Sequence, residues 1–118
     1  TDSNQAGVVT DKIEIIRSAR TIALVKSSAH PSRQGLEKEL LKRPDFRATG
    51  LTIVRYKDKA DLYVEIGYVS LSWLTHRYVY RIFDRRTGVV LAAGETTSWG
   101  SLAGNLARKI ATSLKAAA

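Results

Sequence analysis

The stretch from Leu62 to Gly88 decides how this chain is read. In Leu62-Tyr63-Val64-Glu65-Ile66-Gly67-Tyr68-Val69, Leu62, Val64, Ile66 and Tyr68 alternate with Tyr63, Glu65, Gly67 and Val69. A period of two puts the first set on one face of a strand and the second set on the other. His76 to Phe83 repeats the pattern: His76, Tyr78, Tyr80 and Ile82 share one face, and Arg77, Val79, Arg81 and Phe83 share the other. Asp84-Arg85-Arg86-Thr87-Gly88 follows as a hairpin turn. The aspartate starts the turn through its side chain, and the glycine accepts the positive φ that closes it. Val89 to Thr97 then returns as a further strand.

Working outward, Thr21 to Ser27 carries Ile22, Ala23, Leu24 and Val25 in a run of strand length. His30-Pro31-Ser32 turns the chain towards a helix, where Leu36, Leu40 and Leu41 fall at helical spacing. Pro44 ends that helix, because the residue before a proline avoids the helical region. From Phe46 the period changes to two, and Leu51 to Tyr56 reads as a strand, with Lys57 to Ala60 as a turn. Asp11 to Arg20 fits two periods. Ile13 and Ile15 alternate as in a strand, whereas Ile13 and Ile16 suit a helical turn; the strand is the expectation. At the far end Leu102, Leu106, Ile110 and Leu114 lie four apart and form the apolar stripe of a helix. Arg108, Lys109 and Lys115 stand towards its C-terminal end, where the helix dipole favours cations.

These elements predict an α+β, two-layer sandwich: a mostly antiparallel, four- or five-stranded sheet with two helices packed on one face. Each helix has one apolar stripe, so the opposite sheet face is left to solvent or a partner. Residues 1–10 are expected to form a flexible lead-in and residues 11–118 a single domain.

Composition narrows the classes of function. With 118 residues there is room for one domain, and 44% hydrophobic with 25% charged residues is ordinary for a globular protein. Cysteine is absent, which excludes disulfides, thiolate zinc sites, iron–sulfur clusters and thiol catalysis. That absence suits an oxidising compartment and a reducing one equally. No methionine occurs, even at position 1, so the chain is expected to be a processed or truncated product. No apolar run reaches the ~18 residues of a membrane span. Lys and Arg number 19 against 11 Asp and Glu, a net charge of +8. That charge attracts acidic proteins, nucleic acid or an anionic membrane surface.

The strand Lys59-Ala60-Asp61-Leu62-Tyr63-Val64-Glu65-Ile66, the hairpin Asp84-Arg85-Arg86-Thr87-Gly88 and the Ala- and Leu-rich helix from Leu102 to Leu114 carry a resemblance. Together they resemble the small α/β domains of bacterial envelope proteins, such as the amino-terminal domain of TolB and the core of curli-secretion-type lipoproteins. The similarity covers roughly residues 20–115. Two departures stand out: Gly67 falls late in its strand, and no lipidation cysteine is present. The resemblance implies a non-enzymatic, periplasmic or outer-membrane-associated domain that binds other proteins or assembles with itself.

A search for chemistry turns up little. His30 and His76 lie on different elements and cannot make a metal site without help from carboxylates. Ser27 or Ser28 with His30 and Asp58 would be a formal triad, but no G-x-S-x-G elbow surrounds either serine. Asp61 and Glu65 share a strand face ~13 Å apart, too far for a coupled acid pair, and Glu65 is expected to pair with Arg81 across the sheet. Gly94 to Ser101 has the wrong glycine spacing for a phosphate loop and no lysine before Ser101, so Ser98 and Ser101 are expected as helix caps. No enzyme activity and no cofactor is expected.

Partner contacts are the better prospect. Basic residues cluster at Lys42, Arg43, Arg47, Arg55, Lys57 and Lys59, and again at Arg77, Arg81, Arg85 and Arg86. Tyr63 and Phe83 are expected on the same open sheet face as Arg77 and Arg81. Trp73 and Leu74 sit near the tip of the loop joining two strands, where a tryptophan can anchor an interface. Trp99 is expected as a hydrophobic staple beside the last helix. The expected function is therefore protein interaction or assembly through Tyr63, Trp73, Leu74, Arg77, Arg81 and Phe83. The alternative is a nucleic-acid-binding domain that uses the same arginines and aromatic rings for charge and stacking.

Overall fold

The computed structural model describes residues 12–26, 33–70, 76–97 and 102–117. Residues 12–18 form helix α1. Then follow β1 (Thr21–Lys26), α2 (Arg33–Lys42), α3 (Pro44–Ala48), β2 (Thr52–Ile53), a 3-10 turn (Lys57–Lys59), β3 (Leu62–Ser70), β4 (His76–Asp84), β5 (Val90–Thr97) and α4 (Leu102–Ala117). The fold is α+β, as the alternating and helical periods predict. Its five strands stand in the order β2-β1-β3-β4-β5. β1 runs parallel to both β2 and β3, whereas β3, β4 and β5 form an antiparallel meander. The sheet is therefore mixed, with the longer ladders antiparallel.

The core lies between the sheet and the helices. Leu24, Val64 and Ile82 stand at matched register positions on β1, β3 and β4. They belong to one buried cluster with Leu36 and Leu40 of α2, Phe46 of α3, and Leu106, Ile110 and Leu114 of α4. The stripe predicted for the last helix is thus the centre of the helix layer. Tyr80 brings a phenol that reaches across it: its hydroxyl lies 2.8 Å from Ser113 Oγ and donates to the Lys109 carbonyl at 3.2 Å. Gly94 on β5 makes this possible, since a Cβ there would come within 2.6 Å of the Tyr80 hydroxyl.

Three segments differ from the sequence reading. Asp11 to Arg20 was expected as a strand, but residues 12–18 are helical. The Ala19 N–H donates back to the carbonyls of Ile15 and Ile16, and Ile16 is buried while Ile13, Ile15 and Ala19 pack against the core. Packing of the three isoleucines against the core overrides their local alternation. Phe46 was expected to begin a strand, yet it sits in α3 and is buried. Pro44 does close α2, and it also opens α3 at the first helical turn, where its missing N–H costs nothing. The expected strand from Leu51 shrinks to Thr52–Ile53, and Lys57–Lys59 is a 3-10 turn.

The Asp84–Gly88 hairpin is built as expected. The Gly88 N–H donates to the Asp84 carbonyl at 2.8 Å, Thr87 Oγ1 donates to Asp84 Oδ2 at 2.7 Å, and Gly88 has φ 74°. A second carboxylate works at the same end of the sheet, where Leu62 pairs with Asp84 and the Arg85 N–H donates to the Asp61 carbonyl at 3.1 Å. Asp61 Oδ2 accepts from the N–H groups of Arg20 (2.8 Å) and Thr21 (3.3 Å), and the Asp61 N–H donates to Thr21 Oγ1 at 2.9 Å. This reciprocal clamp sets the start of β1 against the start of β3.

Candidate interaction surface

The described helices pack against one sheet face. On the other, residues of the opposite parity form a second, smaller cluster: Ala23, Ala60 and Tyr63, with Val25, Val54 and Phe83 packed against it. Tyr63 and Phe83 are register partners on β3 and β4. Their rings stack with centroids 4.8 Å apart and planes 12° from parallel. Lys57 Nζ lies 4.1 Å from the Tyr63 ring centroid, and the Arg81 guanidinium carbon lies 5.2 Å from that of Phe83. Each ring thus has the other ring and a cation as neighbours, and the two cation contacts are favoured by the negative face of the aromatic π system.

Arg81 is held from its own face as well. Its Nη2 donates to Glu65 Oε1 at 2.6 Å, directly across the ladder. This is the pairing that alternation predicts. With side-chain exposures of 53% and 37%, the ion pair is solvent-facing and orients the guanidinium more than it stabilises the fold.

Three of the six expected contact residues, Tyr63, Arg81 and Phe83, are therefore brought together. Arg77 lies on β4 between Val69 of β3 and Thr97 of β5. Trp73 and Leu74 fall outside the described residues, as do His30, Trp99 and the serines considered as nucleophile or caps. Among the described residues, no group of three or more His, Asp or Glu side chains gathers as a metal site. Asp61 is committed to its backbone clamp, and the Arg20 N–H above all holds its carboxyl below the ordinary range.

The first basic cluster divides into two parts. Lys42 pairs with Glu39 at 3.5 Å, and Arg43 makes a two-point contact with Asp45 at 3.0 and 3.2 Å. The Arg43 side chain holds the Asp45 carboxyl below its usual range. Those cations brace the corner between α2 and α3. Arg55 and Lys57 turn elsewhere. With Arg33, Gln34, Leu24, Val25 and Tyr56 they line an open groove of about 610 Å³ at the carboxyl end of β1 and just beyond β2. Sequence reasoning did not single out Arg33 or Tyr56. Their only signal was a cation at the head of a helix and a tyrosine between two basic residues.

No family model matches the chain, and no curated protein matches it. Among solved structures it is similar to the PelC dodecamer from Paraburkholderia phytofirmans, at 16% identity and TM-score 0.47 over 86% of this chain and 88% of that one. It is also similar to the lipoprotein GNA1162 from Neisseria meningitidis, at 15% identity and TM-score 0.44 over 78% of this chain and 91% of that one. At these values the functional reading rests on the chain's own geometry.

Proposed function

We propose that this domain is a non-enzymatic protein-interaction or assembly module of the bacterial cell envelope, and that the open sheet face is its contact surface. One observation carries the reading. The described helices cover one side of the sheet, and on the other the exposed Lys57 and Arg81 flank half-buried Phe83, Val25 and Val54, which pack with the buried Tyr63 and Ala23. An apolar centre with a charged, hydrogen-bonding rim is the anatomy of a protein interface. The rings are already immobilised by each other, so a partner meets a surface that loses little side-chain freedom on binding. The envelope setting follows from the resemblance carried by Lys59–Ile66, Asp84–Gly88 and the final helix.

Nucleic-acid binding through stacked bases finds less support. It needs free ring faces. Tyr63 is only 8% exposed, and each ring is occupied by the other ring on one side and contacted by a cation. Binding by charge alone would show as oligonucleotide affinity that falls steeply with salt. Among the described residues no helix is long and apolar enough to cross a membrane.

The test is assembly in envelope fractions. Arg81→Glu and Trp73→Ala should each reduce the amount of protein recovered in a high-mass species, with the melting temperature of the isolated domain little changed. If both variants keep the wild-type distribution, the open face is not the contact surface.

A further inference from the structure

The groove beside the open face shares Val25 and Lys57 with it and adds residues that assembly does not use. It is lined by Arg33 from α2 and by Arg55, Tyr56 and Lys57 beyond β2, over a floor of Leu24 and Val25 from β1. Three cations line it, and no carboxylate is among its described lining residues. Two cations elsewhere are paired closely, Arg43 with Asp45 at 3.0 Å and Arg81 with Glu65 at 2.6 Å. Here, among the described residues, the carboxylate contact is Glu37 with Arg33, at 4.0 Å. Arg55 and Lys57 lie instead against the rings of Tyr56 and Tyr63. Ring contacts leave a guanidinium's fork of donors and an ammonium's outward hydrogens available to an anion.

The groove lies at the carboxyl end of β1, which has parallel neighbours on both sides, β2 on one and β3 on the other. Its volume of about 610 Å³ is far more than a bare ion fills and is within the usual range for small-molecule sites. Tyr56 adds a ring that is 60% exposed, large for an aromatic with no partner of its own but Arg55.

We propose that this groove binds an organic phosphate: a phosphoester dianion held by Arg33, Arg55 and Lys57, with its organic part against Tyr56 and the Leu24–Val25 floor. Arginine's planar fork matches two phosphate oxygens, and a lysine adds a point charge. Two sources share that chemistry, a soluble phosphorylated metabolite and a phospholipid headgroup. The groove shares Val25 and Lys57 with the open face, but Arg33, Arg55 and Tyr56 lie outside that cluster, so Arg33→Gln tests the groove separately from assembly.

Calorimetric titration of the whole chain with glycerol 1-phosphate tests the soluble source. Sedimentation with phosphatidylcholine vesicles, with and without phosphatidic acid, tests the headgroup. Saturable one-site binding in either arm is expected, weakened about tenfold or more by Arg55→Glu with Lys57→Glu, since removal of two charge-assisted contacts exceeds 1.4 kcal/mol, the equivalent of tenfold. The control, Lys38→Glu with Arg47→Glu, makes the same change in net charge at exposed positions on α2 and α3 and should leave binding within about threefold. Arg33→Gln, which spares the Lys57–Tyr63 contact, should also weaken binding and serves if the double variant melts early. Glycerol 1-phosphate binding assigns a soluble ligand; binding to phosphatidic acid vesicles alone assigns a headgroup. No binding in either arm, or equal loss in the groove and control variants, overturns the proposal.

Discussion

Tyr63 and Phe83 face each other across the β3–β4 ladder, 4.8 Å apart and nearly parallel, on the side of the sheet that the described helices leave open. Aromatic pairs of this kind contribute about 0.5–1.5 kcal/mol beyond the area they bury. A double-mutant cycle with Tyr63→Leu and Phe83→Leu, read by urea denaturation, should therefore give a coupling energy in that range. Each single variant should lose about 1–2 kcal/mol, because leucine keeps part of the apolar contact. A coupling near zero would mean that the rings stack without supporting each other.

The Arg81–Glu65 pair predicts a separation between stability and contact. Both side chains are more than a third exposed, so Arg81→Ala should cost less than about 1 kcal/mol. The charge swap Arg81→Glu with Glu65→Arg should restore stability while reversing the charge pattern next to the ring stack. Chemical denaturation reads the first effect, and the quantity of assembled protein reads the second. If the swap preserves assembly in full, the sign of the charge at position 81 does not matter to the partner.

Asp61 links acid stability to the junction of β1 and β3. Its carboxylate accepts two backbone N–H bonds, which lower its folded-state pKa relative to an ordinary aspartate. A lowered folded pKa gives stability that is present above the unfolded value of ~3.9 and is lost as pH falls through the folded value. Asp61→Asn should therefore cost about 1 kcal/mol at pH 7, an amount that allows for the side chain's exposure. The gap between variant and wild type should close as pH falls through the lowered folded-state value, where the wild-type carboxyl is protonated too. Urea midpoints measured from pH 7 to pH 2.5 check both parts.

Gly94 predicts a cost that depends on one neighbour. A methyl group there would overlap the Tyr80 ring, whose atoms lie 2.6–2.7 Å from the ideal Cβ position. Gly94→Ala should destabilise by about 1–3 kcal/mol, the range for an overpacked core. In a Tyr80→Leu background, where the ring is gone, the same change should cost much less. Thermal melts of the four proteins in the cycle decide it.

The parts of the fold that could be read in advance are those set by local chemistry. β3 and β4 alternate cleanly, and the Asp84–Gly88 turn carries its own side-chain acceptor and its own positive-φ glycine. Parity alone placed Tyr63, Glu65, Arg81 and Phe83 on one face, and Arg81 does meet Glu65 there. Residues 12–18 resisted reading because Ile13, Ile15 and Ile16 satisfy both periods, and only their packing against the core selects the helix. Phe46 misled for a similar reason, since Pro44 ends one helix and starts the next within two residues. The groove was illegible because it depends on β1 lying between β2 and β3, and strand order is a long-range property. The clamp at Asp61 joins residues 40 and 41 positions apart, which no local pattern encodes.

The open face as a contact surface is tested most directly by site-specific photo-cross-linking in living cells. A photoreactive amino acid at Arg81 or Glu65 samples the open face, and one at Arg108 or Thr112, both exposed on α4, samples the outside of the helix layer. The expected result is a discrete cross-linked product from positions 81 and 65, the same in both, with little or none from positions 108 and 112. Strong products from α4 with none from the open face would show that the partner sits on the helices instead.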